Sequence, residues 1–598
     1  MITKCVRRLL NSHLRRFIHS PATIQAPDTR QHAISDAEFY AMLDACKPSA
    51  KWPTKIAVAF SGGPDSTSLL YLLKRLISLE EYNYSLPKEL IAVTIDHGLQ
   101  ECSTRHAKLC EEFAASINVP HMTLRIPWSS PPFPKLGPEG RNFEEVARKA
   151  RYHLLWTAMN QANAGVIAFG HHADDQVETA LLRIARGSSE IGAGGMRPCR
   201  LWGMGLGDGP GTLGWAGYQG MQKWIIRPML GVSKDRILET CRDRHLPYVE
   251  DPTNQQSNLT PRNAIRQSLK ANPNSESGSI EASLKQELDT ETAERYILSQ
   301  DTIDVGTNLS RMERLRRGVA EISRRVNDID SEVTRQLSIC SLRSPISTFL
   351  LDSNAVSQVT DPSIRLAMVI RILRYISPRP WGSPSAEAGR RSSSLGQIVE
   401  RVWGLDGNET SLVSGGGVVW SRVILDKNGG LKRRRPMLDR DRCGWLASRQ
   451  PTKPNALDID ITAELLSTWH ERKTVEILWD NRFLICVRPH RLSQRLVSSL
   501  IESPSSSSIY VEVDDHHYYL PRLVWRRGRN SSFTLAKFLK SGKVSYGPSE
   551  GFGGAITVTH SAFKMIWIRS MEADGPSRNQ TVYIPTPRDL TPLPLDSW

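Results

Sequence analysis

Lys55-Ile56-Ala57-Val58-Ala59-Phe60 runs directly into Ser61-Gly62-Gly63-Pro64-Asp65-Ser66, and Thr67-Ser68-Leu69-Leu70-Tyr71-Leu72-Leu73 follows. The first six residues are an apolar run of the length and composition of a buried strand, and the leucines after Ser66 recur at helical spacing. Two glycines and a proline separate the two periods, so the stretch reads as strand, tight turn, helix. Glycines at such a turn let backbone N–H groups face inward and approach phosphate oxygens closely. The N-terminus of the following helix adds its positive dipole end to the same point. Ser61 and Ser66 can donate hydroxyl hydrogen bonds there, and Asp65 can hold Mg²⁺ beside a pyrophosphate group. The lysine of G-x-x-x-x-G-K-[ST] is missing, and the stretch does not fit G-x-G-x-x-G either. A plain Ser/Gly turn with a capping Asp is the other reading; the strand–turn–helix setting favours the phosphate cradle.

Outward from this turn, Lys55 to about Arg266 alternates short apolar runs with amphipathic ones. LIAVTID (90–96) reads as a second strand and RHAKLCEEFAASINV (105–119) as a second helix. NFEEVARKARYHLLWTAMNQAN (142–163) reads as a long helix, GVIAFG (165–170) as a strand and DDQVETALLRIARG (174–187) as a helix. Strand–helix alternation of this kind predicts an α/β domain with a parallel sheet covered on both faces. Two Pro- or Gly-rich insertions, 127–140 and 199–222, read as surface loops. The expected organisation is a leader over 1–30, a catalytic domain over 50–268, a linker over 269–286, a basic helical middle region over 287–376 and a flexible break over 377–395. A smaller α+β or β-rich C-terminal region over 396–598 completes it, with RFLICV, SIYVEVDD, HYYLPRLVW and AITVTH as strands and LVSGGGVVWSRVIL as a hairpin.

The chain has 598 residues, more than one hydrophobic core usually holds, with 39% apolar and 23% charged residues. Mean hydropathy is −0.35, and no uncharged apolar run is long enough to span a bilayer. Lys plus Arg number 77 against 62 Asp plus Glu, a formal charge of +15 that favours a polyanionic partner such as nucleic acid. The nine cysteines form no C-x-x-C pair and no zinc-finger spacing. Cys102 and Cys110 read as structural thiols. Met1 to Ser20 carries Lys4, Arg7, Arg8, Arg15 and Arg16 with no acid before Asp28, and a helix there would be amphipathic. That is the description of a mitochondrial transit peptide, which predicts a matrix location.

Further motifs follow in order. Asp96-His97-Gly98-Leu99 ends the second strand, and Asn142 to Tyr152 reads N-F-E-E-V-A-R-K-A-R-Y. Gly170-His171-His172-Ala173-Asp174-Asp175-Gln176-Val177-Glu178-Thr179 opens the next helix. Arg227-Pro228-Met229-Leu230, Glu250-Asp251-Pro252-Thr253-Asn254 and Pro261-Arg262-Asn263-Ala264-Ile265-Arg266 complete the series. With the S-G-G-x-D-S turn, these segments resemble the PP-loop ATP pyrophosphatases, and within them the tRNA(Ile)-lysidine synthetases. The departures are Thr253 in place of Ser and the two insertions. The resemblance implies a PP-loop (adenine nucleotide alpha-hydrolase-like) domain that uses ATP and Mg²⁺. It would attach free L-lysine to C2 of the wobble cytidine in a CAU-anticodon tRNA(Ile), through an adenylated cytidine. It further implies that Ser61, Gly62, Gly63, Pro64, Asp65, Ser66, Asp96 and His97 bind the nucleotide. Asp65 and Asp175 would take Mg²⁺ or orient the amine, His171 and Arg148 would contact the nucleotide or reacting base, and Arg262 would contact the activated intermediate. Oligomeric state is left open.

Other readings stand beside these. Glu144 and Glu145 serve equally as solvated helix acids, and Arg151 and Tyr152 as packing residues. One of each pair His171-His172 and Asp174-Asp175 is expected to be a cap, since adjacent helical residues point apart. RMERLRRGVAEISRR (311–325) and KNGGLKRRRP (427–436) are candidate phosphate-binding runs, and Trp403, Trp420, Tyr518, Tyr519 and Trp525 candidate stacking platforms or core. A PP-loop tRNA thiolase lacks support from cysteine spacing. A catalytically inactive organellar RNA-binding factor is opposed by the intact Asp65, Asp175 and Arg262.

Overall fold

The computed structural model describes residues 32–48, 51–83, 86–98, 102–135, 143–249, 261–270, 289–301, 309–388, 391–404, 411–425, 431–432, 442–453, 455–516, 518–528, 531–541, 543–546 and 562–569. The proposed leader, the segment 250–260, the linker beyond residue 270, Arg433 to Arg435 and the run AITVTH lie outside them. The chain forms two compact units, divided between Ser331 and Glu332.

In the first unit α1 (Asp36–Ala45) precedes β1 (Lys55–Ala59), α2 (Pro64–Ser78), β2 (Glu89–Asp96), α3 (Cys102–Ser116), β3 (His121–Arg125), α4 (Phe143–Gln161) and β4 (Val166–Ala168). Next come α5 (Ala173–Ala185), β5 (Cys199–Leu201), β6 (Trp224–Ile226), α6 (Lys234–Asp243), α7 (Pro261–Lys270) and α8 (Thr290–Leu298), and then α9 (Arg311–Cys340), whose residues up to Ser331 belong to this unit. The strands form one six-stranded sheet in the order β3-β2-β1-β4-β6-β5. β3, β2, β1, β4 and β6 run parallel, in the register Ala57↔Ile91 and Ala57↔Ile167 about the central β1. The leucines of α2 and the apolar side chains of β1 share one core with Phe113 and Ala114 of α3, while Ala57 and Ile167 face Tyr152, Leu155 and Met159 of α4 on the other side. Because β1 proceeds to β2 and β3 on one side and β4 lies on the other, the topological switch falls between β1 and β4, where a crevice opens beyond the carboxyl ends.

Three sequence boundaries move. The α/β unit begins before residue 50: Ser35 caps α1, Ile34, Phe39 and Leu43 are fully buried, and Arg236 of α6 grips Glu38 through two 2.7 Å hydrogen bonds. The insertion 199–222 is more than a surface loop. Its Cys199–Leu201 pairs antiparallel with β6 and closes that edge of the sheet, and Trp202, Met204 and Tyr218 are buried. The helical middle region is divided, because α8 and the first part of α9 pack Ile297, Leu315, Val319 and Ile322 against Val177, Ala180 and Leu181 of α5.

In the second unit β7 (Phe349–Asp352), β8 (Val418–Leu425) and β9 (Arg442–Arg449) form an antiparallel sheet with shorter strands. The glycine-punctuated hairpin is present: Gly415, Gly416 and Gly417, all at positive φ, join Leu412–Ser414 to β8. Ser507–Asp515, Leu520–Arg527 and Ser531–Phe538 lead a second antiparallel sheet, and Val475–Trp479, Phe483–Val487 and Phe563–Trp567 a third. The stretch expected as a flexible break carries a short helix, Pro384–Ala388, and the buried Trp381. Among the described residues no helix is long and apolar enough to cross a membrane.

Candidate active site

The turn after β1 is shaped before any ligand arrives. Ser66 Oγ accepts the Ser61 N–H (3.1 Å) and donates to Gly63 O (3.1 Å), so the two ends of the turn are tied together. Gly62 sits at φ +74°, and a Cβ there would lie 2.8 Å from Cys110 Sγ and 3.0 Å from His106 Nε2, so only glycine fits. Gly63 is the N-cap of α2 and Pro64 its first residue, which leaves the Gly63, Asp65 and Ser66 N–H groups without intrahelical acceptors at the crevice. On the far side of the switch point, Gly170 presses against this turn. A Cβ on it would sit 2.9 Å from the Asp65 carbonyl and 3.1 Å from Ser66 N.

Three helix starts meet here. Asp65 belongs to the first turn of α2 and Asp175 to that of α5, while Lys234 opens α6. Lys234 Nζ lies 2.5 Å from Asp65 Oδ1. His172 Nε2 stands between the two carboxylates, 3.7 Å from Asp65 Oδ1 and 3.5 Å from Asp175 Oδ2. The His172 N–H donates to Asp175 Oδ2 (3.0 Å), and the Ala173 N–H donates to Val232 O (2.8 Å), which ties the start of α5 to the approach of α6. Of the adjacent histidines, His172 is therefore the cap.

Behind Asp175 stands a charged quartet. Arg262 donates to Asp175 Oδ1 and to Glu178 Oε2, each at 2.6 Å; Arg266 donates to Glu178 Oε1 at 2.7 Å. Glu178 is three residues along α5 from Asp175 and so shares its face. Burial alone would push the Asp175 carboxyl up, but His172 and Arg262 beside it hold it well below the usual carboxylate range.

His171 faces the other wall. Burial, reinforced by Arg227, lowers its imidazole to about 3, and its Nδ1 accepts from Arg227 Nε at 3.1 Å. The ring is therefore neutral, with its proton on Nε2. It stacks on Phe169 at 5.5 Å, and Phe169 stacks on Tyr152 at 5.7 Å. Arg148 is exposed, with its guanidinium 4.9 Å from the Tyr152 ring centroid. Burial would raise the Tyr152 phenol, yet Arg148, Arg227, Arg200 and Arg151 together bring it down to about 8.

The structure thus brings Ser61, Gly62, Gly63, Pro64, Asp65, Ser66, Asp175, His171 and Arg262 around one crevice, with Arg148 on the α4 wall. Asp96 does something else there. Its buried carboxylate caps the Gly98 N–H at 2.8 Å and shapes the turn after β2. The His97 carbonyl accepts from Trp128 Nε1. Asp175 has both oxygens engaged by protein donors, whereas Asp65 Oδ2 has no partner among the described residues. Sequence reasoning left Glu178, Arg227, Lys234 and Arg266 without a role. Three of them lie within the motifs named above, which was the available signal, while Lys234 lies in none.

The candidate RNA-contacting groups are mostly engaged elsewhere. On α9, Arg311 pairs with Glu294, Arg314 with Asp301, Arg316 with Asp174, Arg324 with Glu321 and Asp328, and Arg325 with Glu190. Trp420, Tyr518, Tyr519 and Trp525 are buried core residues, and Trp403 Nε1 donates to Val356 O.

Residues 36–272 match the family model of the PP-loop domain. Among curated proteins, a tRNA(Ile)-lysidine synthase of Bradyrhizobium sp. is 35% identical over 205 residues, 34% of this chain and 49% of that protein. One from Mesorhizobium japonicum is 38% identical over 197 residues, 33% of this chain and 38% of that protein. A probable tRNA(Ile)-lysidine synthase of Schizosaccharomyces pombe is 31% identical over 217 residues, 36% and 44% of the two chains. The chain thus spans about half or less of the length of these relatives. Among solved structures, the U34-tRNA thiolase NcsA of Methanococcus maripaludis is a distant neighbour at 18% identity and TM-score 0.28, covering 46% of this chain and 81% of that one. Residues 36–272 are a PP-loop domain, and over this stretch the chain is similar to the tRNA(Ile)-lysidine synthases.

Proposed function

We propose that this chain is an ATP-dependent ligase that attaches L-lysine to C2 of the wobble cytidine of a CAU-anticodon tRNA(Ile), acting in the mitochondrial matrix. The observation that carries the reading is the meeting of the Asp65 turn with the Asp175–Glu178–Arg262–Arg266 quartet at the switch point between β1 and β4.

In the first step the cytidine C2 oxygen attacks the α-phosphorus of ATP, the bond to the β-phosphate oxygen breaks, and pyrophosphate leaves. In the second the lysine amine adds at C2 and the C2–O bond breaks, releasing AMP, with the amine proton passing to solvent. Such transfers depend mainly on positioning and on neutralising charge. The Gly63, Asp65 and Ser66 N–H groups would receive the phosphate tail. His171, locked neutral, would donate from Nε2 to an oxygen near the reacting phosphorus. Asp175 stays ionised, so it serves as an electrostatic anchor for Arg262 and for an incoming ammonium.

Asp65 fits a Mg²⁺ ion arriving on the nucleotide: it offers one carboxylate oxygen uncommitted among the described residues, at a point where phosphate oxygens would complete the shell. When bound, the ion would neutralise phosphate charge. Asp175 fits less well, since both its oxygens are engaged. The thiolase reading is disfavoured because Cys46 and Cys110 are buried, with thiols pushed up to about 12 and about 11.

The test is pyrophosphate release from ATP with lysine and tRNA supplied singly and together, followed by mass analysis of nucleosides from the tRNA. Release requiring both, with a lysine adduct on cytidine, is expected. Release that depends on a sulfur donor, or no release at all, refutes the proposal.

A further inference from the structure

The nucleotide turn lacks the lysine that many phosphate-binding loops carry, yet an ammonium group stands at its mouth. Lys234 reaches Asp65 from a helix 169 residues further along the chain. Its placement is set by packing: Ser68 Oγ of α2 lies 3.1 Å from Cys241 Sγ of α6, Cys241 Sγ donates to Pro64 O, and Ser68, Ile237 and Cys241 are buried at the seam. The base of Lys234 therefore cannot move far relative to the turn, while its four-carbon stem can. Both head groups remain within reach of a ligand, with the Lys234 side chain 29% and the Asp65 side chain 31% exposed. The position is also locally unfavourable, because a cation at the first residue of a helix faces the positive end of the dipole. Asp65 offsets that cost in the free chain.

We propose that Lys234 is the phosphate-contacting cation of this site, resting on Asp65 in the free chain and moving to the β- and γ-phosphate oxygens when the nucleotide binds. This rests on the nucleotide reading above and adds to it the residue that grips the leaving pyrophosphate. The exchange leaves Asp65 open toward the nucleotide's metal ion and places positive charge where negative charge builds as the α–β bond breaks. No covalent bond to Lys234 forms; its ammonium trades one anionic partner for another.

The test uses the full chain, with calorimetric titration of inorganic pyrophosphate, a non-hydrolysable ATP analogue with a methylene bridge between the α- and β-phosphates, and AMP, all with Mg²⁺ present. Lys234→Gln should weaken pyrophosphate and analogue binding by about tenfold or more while leaving AMP within about twofold, and Lys234→Arg should recover most of the loss. Because Lys234→Arg keeps the charge, its recovery separates loss of charge from loss of fold; thermal melting of both variants accompanies the titrations. Unchanged pyrophosphate affinity in Lys234→Gln, or an equal loss for AMP, overturns the role of Lys234 alone. A wild-type chain that binds neither the analogue nor AMP overturns the nucleotide reading and this inference with it.

Discussion

Replacing Gly170 with alanine isolates the contact on which the crevice depends. Gly170 has an ordinary φ, so alanine brings no backbone strain there, and its whole effect is the added methyl group. That methyl would meet the Asp65 carbonyl carbon and oxygen at 2.9 Å and Ser66 N at 3.1 Å. The neighbours are main-chain atoms at a helix start and cannot rotate aside. Restoring ordinary contact needs a shift of about 0.5 Å between the turn and the end of β4, and overpacking of this kind costs about 1–3 kcal/mol. For a unit of this size, about 330 residues, the melting temperature should fall by roughly 1–4 °C. The displaced groups are the N–H donors and Asp65, so nucleotide turnover should fall by about tenfold or more while tRNA affinity changes little. Gly187→Ala supplies the control: at φ +77° with open space around it, alanine there should cost about 1 kcal/mol of backbone strain and leave nucleotide turnover intact. Melting curves and steady-state pyrophosphate release on the two variants decide the matter. Equal effects on turnover, or a Gly170→Ala protein with wild-type melting and KM for ATP, refute the reasoning.

Other substitutions probe neighbouring links. Asp65→Asn should abolish pyrophosphate release and keep tRNA binding nearly intact; a gel-shift titration beside the release assay checks both. His171, lowered from 6.5 to about 3, binds its proton more weakly folded than unfolded, so its contribution to stability is complete above pH 6.5 and is lost as pH falls toward 3. Urea unfolding should lose roughly 4–5 kcal/mol over that window, and His171→Gln should flatten the slope. Arg316→Ala removes two hydrogen bonds (2.7 and 2.9 Å) from Asp174 and should destabilise the first unit by about 3 kcal/mol, read by thermal unfolding.

The centre of the sheet was readable because β1, β2 and α2 are long enough to show their period. β5 and β6 have three residues each and, unlike the equally short β4, are not set between two amphipathic helical runs, while β3 is an edge strand whose sides differ little in burial. α1 was missed because its pairing with α6 spans about two hundred residues of chain. The site was legible where a motif concentrates its residues, as at Ser61–Ser66 and His171–Glu178. The capping by Asp96 was not, because a carboxylate that caps a turn and one that faces a nucleotide occupy the same place in sequence. Lys234 belongs to no local pattern; the packing of α2 on α6 alone carries it to Asp65.

The arginines of α9 have a consequence for how the chain meets a polyanion. The charge of Arg311, Arg314, Arg316, Arg324 and Arg325 is engaged internally, by Glu294, Asp301, Asp174, Glu190 and acids one turn away, so these five have little to exchange for condensed counterions. The ionic-strength dependence of nucleic-acid association therefore reports on other lysines and arginines behind the net +15. Neutralising Arg324 should leave the slope of log affinity against log salt where it was.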